Sequence, residues 1–156
     1  MREVQAKRQA RVPQPGDDAP DFEIDVMDKA RKRTGDKVRL SSLRGKPVAL
    51  MFGSYTWPPF RRQTVRLNEL YNTYKDQVEF LCIYTKEAHP SDGWQVHENL
   101  NENIIVTDPT TDAERTEVAS ACQVKLDIQM PLLVDRIDND VEEKYISLPM
   151  RLFVVE

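Results

Sequence analysis

Cysteine is scarce in this chain. Cys82 and Cys122 are the only two among 156 residues, too few for a disulfide framework and not at zinc-ligand spacing, so no metal site is expected and the redox compartment stays undecided. No apolar run approaches the length of a membrane span. The first twelve residues, MREVQAKRQARV, also lack the apolar segment of a secretory signal, which makes the cytoplasm the default location. An excess of one charge is missing as well: 22 Lys and Arg stand against 26 Asp and Glu, a net charge of −4. The two signs are interspersed, so no nucleic-acid or other polyanion partner is expected. Neither an internal repeat nor a low-complexity segment is visible. What is present is a 40% apolar composition, enough to bury one sizeable core in one domain.

Residues 1–12 read as a basic mobile tail or frayed helix ahead of a domain spanning 13–156. Pro13, Pro15, Gly16 and Pro20 mark irregular chain leading into a short strand over Phe22 to Met27. DKARKRTGDKVRL reads as a charged hairpin turning near Thr34, Gly35 and Asp36. Val48 to Phe52 is a nearly continuous apolar strand of the kind a parallel sheet buries on both faces. Phe60, Leu67, Leu70, Tyr71 and Tyr74 then repeat at helical spacing, with Arg61, Arg62, Arg66, Glu69 and Lys75 for the opposite face. A second buried strand, Val78 to Tyr84, completes a βαβ unit. Farther on, Thr111 and Glu114 form a capping-box pattern for a helix that places Val118, Ala119, Cys122 and Leu126 on one face. MPLLVDRID is another strand candidate, and NDVEEKYI a short helix with Asn139 as its cap and Glu142 three residues on. The last segment, RLFVV, is an apolar edge strand, an aggregation hazard if left bare. A further strand and helix, or a second chain as in a homodimer, is expected to cover it.

Chemistry is expected in two places. In MFGSYTWPPFRRQ, Trp57 sits on the turn between the first buried strand and the long helix, where an exposed side chain meets the positive end of the helix. KEAHPSDGW is a turn-rich loop at the carboxyl end of the next strand, the edge of an open α/β sheet where ligands bind. Cys82, inside that strand, reads as a small core residue with little thiolate. His97 reads as surface.

PGDDAPDF, VRLSSLRGKPVALMFGS and the strand, turn and helix arrangement resemble the thioredoxin and peroxiredoxin superfamily. FGSYTWPPF together with IYTKEAHPSDGW is similar to the iodothyronine deiodinase family and its deiodinase-like bacterial relatives, from about Pro13 to Glu156. The resemblance implies an α/β thioredoxin-like fold, a central mixed sheet flanked by helices, without the family's last strand and helix. It implies that position 57 carries selenocysteine or cysteine, the place of the first cysteine of a thioredoxin CxxC, with Phe60 where the second would stand. At a helix amino end a selenol or thiol is favoured as its anion. Trp57 has no lone pair for such an attack, since its indole nitrogen only donates. Three origins are open: a UGA codon read as Trp, a Cys-to-Trp replacement, or a natural pseudoenzyme.

The resemblance also assigns the surroundings. His89 would hold the substrate, forming with Arg151 a clamp for an aromatic amino acid, and Glu87 would orient the imidazole or move protons. Pro149 is similar to prolines that some redox folds hold in cis beside the site. Ser54 and Thr56 either donate to a ligand or cap the helix, Tyr55 replaces a cysteine of vertebrate-like members, and Phe60 joins the substrate site. Cys122 serves as a resolving thiol or as ordinary packing. The implied function is a selenol or thiol oxidoreductase acting on a small aromatic or oxidised substrate, regenerated by an external thiol reductant and needing no metal or nucleotide cofactor. It would be inactive with Trp57 in place. The alternatives are a noncatalytic binding module and a peroxiredoxin-like peroxidase.

Overall fold

A computed structural model describes residues 2–28, 32–147 and 150–156. Six strands form one mixed sheet in the order β2-β1-β5-β4-β3-β6. In sequence they are β1 (Glu23–Met27), β2 (Arg33–Arg39), β3 (Val48–Gly53), β4 (Glu79–Tyr84), β5 (Leu132–Val134) and β6 (Leu152–Val155). The helices are α1 (Arg2–Gln9), α2 (Pro58–Tyr74), α3 (His97–Asn101), α4 (Asp112–Lys125) and α5 (Asp140–Tyr145). Strands β3, β4 and β5 run parallel, while β1 and β6 lie antiparallel on either side of them. Among the described residues no helix is long and apolar enough to cross a membrane.

The unbroken apolar run of β3 arises because both faces of the sheet are covered. Its alternate residues divide between two cores. Ala49 and Met51 join Phe80, Cys82, Tyr84 and Leu132 beneath Phe60 and Leu67 of α2 and Ala119 and Cys122 of α4. Val48, Leu50 and Phe52 join Leu81, Ile83 and Leu133 with Phe22, Ile24, Val141 and Tyr145 on the other face. The buried side of α2 is rotated from its apolar stripe: Arg61, Thr64 and Asn68 are buried, whereas Leu70 and Tyr74 are each 45% exposed. Polar anchoring decides this. The Asn68 side chain donates to the Asp127 carbonyl (2.7 Å) and accepts from the Gln129 N–H (3.1 Å), stitching α2 to the chain that enters β5.

Two local expectations are corrected. Strand β1 ends at Met27 and β2 begins at Arg33, and between them the Asp28 N–H donates to the Lys32 carbonyl and the Lys32 N–H to the Asp28 carboxylate, both at 2.9 Å. Gly35 falls inside β2 at φ +83°, and there β2 advances four residues while β1 advances two, so the glycine serves a bulge and not the turn. Helix α5 is not capped by Asn139, which lies in the left-handed region without a side-chain cap bond. Asp135 takes that role, accepting from the Val141 and Glu142 N–H groups at 3.2 and 2.9 Å. The basic N-terminus is helical over Arg2–Gln9, and Arg8 grips the fully buried Glu142 carboxylate at 2.6 and 2.8 Å. The Thr111 cap on α4 is present, its hydroxyl accepting from the Glu114 N–H at 3.2 Å. Strand β6 stands at the sheet edge, with Leu152 and Val154 50% and 62% exposed.

Candidate active site

The carboxyl ends of β3 and β4 pair as Gly53 with Tyr84, which sets the turn 54–57 beside the loop 85–96. Gly53 permits the tight exit from β3: a Cβ there would lie 2.2 Å from the Phe60 ring. Trp57 follows as the extended residue before α2, and Pro58 and Pro59 open the helix. Proline suits a first turn because the N–H it lacks has no partner within the helix. The expected row of free N–H donors at this helix end is therefore thinned. Two of the first three positions carry no hydrogen, and the Arg61 N–H is already given to the Trp57 carbonyl (3.2 Å). The macrodipole and the Phe60 N–H remain to favour an anion at position 57.

Every backbone polar group of residues 55–57 is held. The Tyr55 N–H donates to the Tyr84 hydroxyl (2.9 Å), and its carbonyl accepts from the Arg61 guanidinium (2.7 Å). The Thr56 N–H donates to Glu87 (3.0 Å), and its carbonyl accepts from the Asn99 amide (2.9 Å). The Trp57 N–H returns to the Ser54 carbonyl at 3.1 Å. Arg61 is itself braced by Glu102, 3.0 Å from the guanidinium. Tyr84, Arg61 and Asn99 were not singled out as site residues from sequence. They lie 29, 6 and 43 positions from the groups they hold, and only the fold brings them there.

Glu87 is the centre of this framework. Its carboxylate accepts from the Thr56 N–H, from the Thr56 hydroxyl (2.5 Å) and from the Tyr84 hydroxyl. At 5% exposure, burial pushes its carboxyl above the usual range against the pull of those donors. Burial, with the neighbouring Glu87 charge, likewise holds the Tyr84 phenol well above its ordinary value. Glu87 thus binds the turn and not the imidazole it was expected to orient. Ser54 and Thr56 do not cap α2. The Ser54 hydroxyl accepts from the Ala88 N–H (3.2 Å) and the Thr56 hydroxyl from the His89 N–H (3.1 Å), tying the turn to the loop.

His89 is 6% exposed and is in ring contact with two indoles. Trp57 stacks on it with centroids 5.2 Å apart and planes at 15°, and Trp94 meets it at 4.9 Å and 84°. Its Nδ1 is 2.9 Å from the Trp94 carbonyl. A carbonyl only accepts, so the proton sits on Nδ1 and Nε2 is left as the ring's free nitrogen. The Trp57 indole N–H, by contrast, is buried with no hydrogen-bond partner among the described residues.

Phe60 is 1% exposed, its ring packed where a side chain on Gly53 would go, so it belongs to the core and not to a substrate surface. The Arg151 guanidinium donates to the Ile146 carbonyl (2.8 Å) and to the Gln9 side chain, and so faces α5 and α1. Its carbonyl accepts from the Phe52 N–H at 3.2 Å, which puts its backbone beside the end of β3. Pro149 lies outside the described residues. Tyr55 is partly buried, and that burial raises its phenol. Cys122 is fully buried beside Cys82, with burial pushing its thiol well above the ordinary value, so it offers no accessible resolving thiolate. His97 opens α3 and is exposed, as expected. No group of three His, Cys, Asp or Glu that could hold a metal occurs among the described residues.

A family model described as iodothyronine deiodinase matches residues 1–156. The chain is 32% identical over 114 residues to a type I iodothyronine deiodinase of Xenopus laevis, covering 71% of this chain and 42% of that one. It is also 32% identical over 143 residues to a thyroxine 5-deiodinase of Gallus gallus, covering 90% and 52%. The match thus spans about half the length of these relatives or less. Among solved structures, a putative protein disulfide isomerase from Bacteroides thetaiotaomicron superposes with a TM-score of 0.64 at 23% identity, covering 92% of this chain and 72% of that one. The thioredoxin domain of a thiol-disulfide oxidoreductase from Bacteroides vulgatus gives 0.61 at 17%, covering 92% and 82%. These two likenesses establish a thioredoxin-like fold.

Proposed function

This chain belongs to the iodothyronine deiodinase family, and from that premise we propose that its scaffold serves a selenol- or thiol-dependent reductase whose nucleophile belongs at position 57. The observation that carries the reading is a mismatch. All backbone groups of 55–57 are satisfied and hold position 57 over His89 at the start of α2, yet the indole in that place strands its own N–H. Burying a donor without a partner costs about 1–3 kcal/mol. A turn so fully bonded fits a small anionic side chain better than an indole.

With selenocysteine or cysteine at 57, the chalcogenide attacks the iodine of an aryl iodide. The carbon–iodine bond breaks, the ring carbon takes a proton, and the chalcogen is left oxidised as its iodide. Two equivalents of an external thiol then release iodide, form a disulfide and restore the anion. With Nδ1 given to the Trp94 carbonyl, His89 Nε2 is the imidazole nitrogen left to engage a phenolic oxygen or relay a proton. Glu87, Tyr84 and Asn99 act through the turn, as positioning residues. With Trp57 in place the chain has no nucleophile.

A second reading, a noncatalytic binding module, draws on the same stack: Trp57 lies on His89 and packs against the core below it, filling the space a substrate would use. Both readings are tested by Trp57→Cys assayed with a dithiol. Release of iodide from an aryl iodide, dependent on thiol and absent from the parent chain, is the expected result. Equal, low turnover by both proteins overturns the reductase. Peroxide consumption without iodide release assigns the site to a peroxidase instead.

A further inference from the structure

Pro58 and Pro59 withhold two of the N–H donors that would favour an anion at position 57, and two residues on stands a buried cation, Arg61. Resting on the functional reading above, we propose that the Arg61 guanidinium is a positioning residue whose charge holds a thiol or selenol at position 57 as its anion, with Glu102 setting how much of that charge is felt. Arg61 is the fourth residue of α2, and its N–H is given to the Trp57 carbonyl at 3.2 Å. Helical side chains lean towards the amino end of their helix. This one runs back along the first turn to the Tyr55 carbonyl, 2.7 Å from Nη1 and two residues before position 57. Holding a carbonyl needs no permanent charge: the neutral Asn99 amide does the same for Thr56, at 2.9 Å. A guanidinium buried to 6% exposure is a costly way to make that bond alone. Nor are its donors exhausted. Nε bonds Glu102 at 3.0 Å, whereas Nη2, 3.0 Å from the same carboxylate oxygen, is buried without a hydrogen bond among the described residues.

The charge is close enough to matter. Across two trans peptides the Tyr55 carbonyl oxygen lies at most about 6.5 Å from the Cα of residue 57, so the guanidinium nitrogen bonded to it lies within about 10 Å. At an effective dielectric near 20, unit charges about 10 Å apart shift a thiol by about one pKa unit. The same charge is felt by the neighbouring groups. Tyr55 and Trp57 pack against the core that contains Cys122 of α4. Burial raises both the Tyr55 phenol and the Cys122 thiol, and the Arg61 charge opposes the rise in each, while Glu102 of α3 adds to it at Tyr55. The remaining ionisable groups around the turn offer no fixed cation. Glu87, bonded to Thr56, opposes an anion when ionised, burial keeps the Tyr84 phenol neutral, and His89 is positive only with both nitrogens protonated.

The experiment takes Trp57→Cys as its parent and measures the pKa of the thiol introduced at position 57. The readout is the pH dependence of iodoacetamide alkylation, followed on that peptide by mass spectrometry. Arg61→Gln is expected to raise the pKa by about one unit, a roughly tenfold smaller thiolate fraction at neutral pH. Arg61→Lys, which keeps a cation but loses the fork, should recover most of that shift. Glu102→Gln should lower the pKa, because the guanidinium is then unopposed. A merely structural brace predicts the reverse, since a loosened arginine cannot draw the thiol down. Circular dichroism and urea unfolding establish that each variant folds. If Arg61→Gln does not, Glu102→Gln decides alone, being an isosteric change at a half-exposed side chain. An unchanged pKa in folded Arg61→Gln, equal rises in Arg61→Gln and Arg61→Lys, or an unchanged or raised pKa in Glu102→Gln overturns the assignment. Iodide release by Trp57→Cys with a pKa indifferent to these changes sinks the assignment alone. Shifts of the expected sign in a protein that releases no iodide sink the reductase reading alone.

Discussion

Replacing Gly53 by alanine adds one methyl group at the exit of β3, and the structure says where it goes. The new carbon would lie 2.2, 2.5 and 2.6 Å from three atoms of the Phe60 ring, where carbon atoms rest about 3.5–4.0 Å apart. The Gly53 backbone is not in the left-handed region, so the obstacle is space and not conformation. Phe60 is 1% exposed and has nowhere to withdraw without moving α2. Overpacking of this kind costs about 1–3 kcal/mol, and the expected loss is near the upper end, about 3 kcal/mol. For a domain of this size that lowers Tm by about 6–12 °C. Urea unfolding of Gly53→Ala, Phe60→Leu and the double variant gives the coupling directly. The double variant should be more stable than the sum of the single effects by about 1 kcal/mol or more, because leucine vacates the ring's place. Additive losses would refute the reasoning, since they would mean that the methyl group and the ring never meet.

Two further outcomes follow from the buried ionisable groups. Because burial raises the Glu87 carboxyl above 4.5 in the folded chain, the native state keeps its proton to higher pH than the unfolded state. Its contribution is therefore most favourable at acid pH and declines as pH rises from about 4.5 through the folded value. Glu87→Gln should flatten that decline in urea midpoints taken across the acid-to-neutral range, whereas parallel curves for the two proteins would contradict it. Cys82 is pushed up to about 12 and Cys122 well above its ordinary value, so neither thiol should react with iodoacetamide at neutral pH until the chain unfolds. Native-state alkylation of Cys122, read by mass spectrometry, would show that the packing of α4 on the sheet opens.

The strands were legible where their burial is continuous: Val48 to Phe52 and the run ending at Tyr84 are apolar at every step because helices and loops cover both faces. Helix α2 was legible in extent but not in rotation, since its buried Asn68 answers to Asp127 and Gln129, groups far along the chain. Gly35 and Asn139 misled for a related reason. Each is a residue type that takes positive φ, and local sequence does not say whether that serves a turn, a bulge or a cap. The proximity of Trp57, Thr56, Glu87 and His89 was readable because they sit in two short blocks on adjoining loops. Tyr84 looked like the last residue of a strand, and nothing local marks its hydroxyl as the partner of Glu87. Arg61 looked like the outer face of a helix until the fold brought the Tyr55 carbonyl to it.

The chain holds just two tryptophans, and both touch the same imidazole. Light absorbed by indole is therefore absorbed entirely around His89, with no background chromophore of that type elsewhere in the molecule. Any replacement of Trp57 by a non-indole residue leaves a protein with one indole emitter, Trp94, in contact with His89, so that changes around that imidazole can be followed optically without attaching a dye.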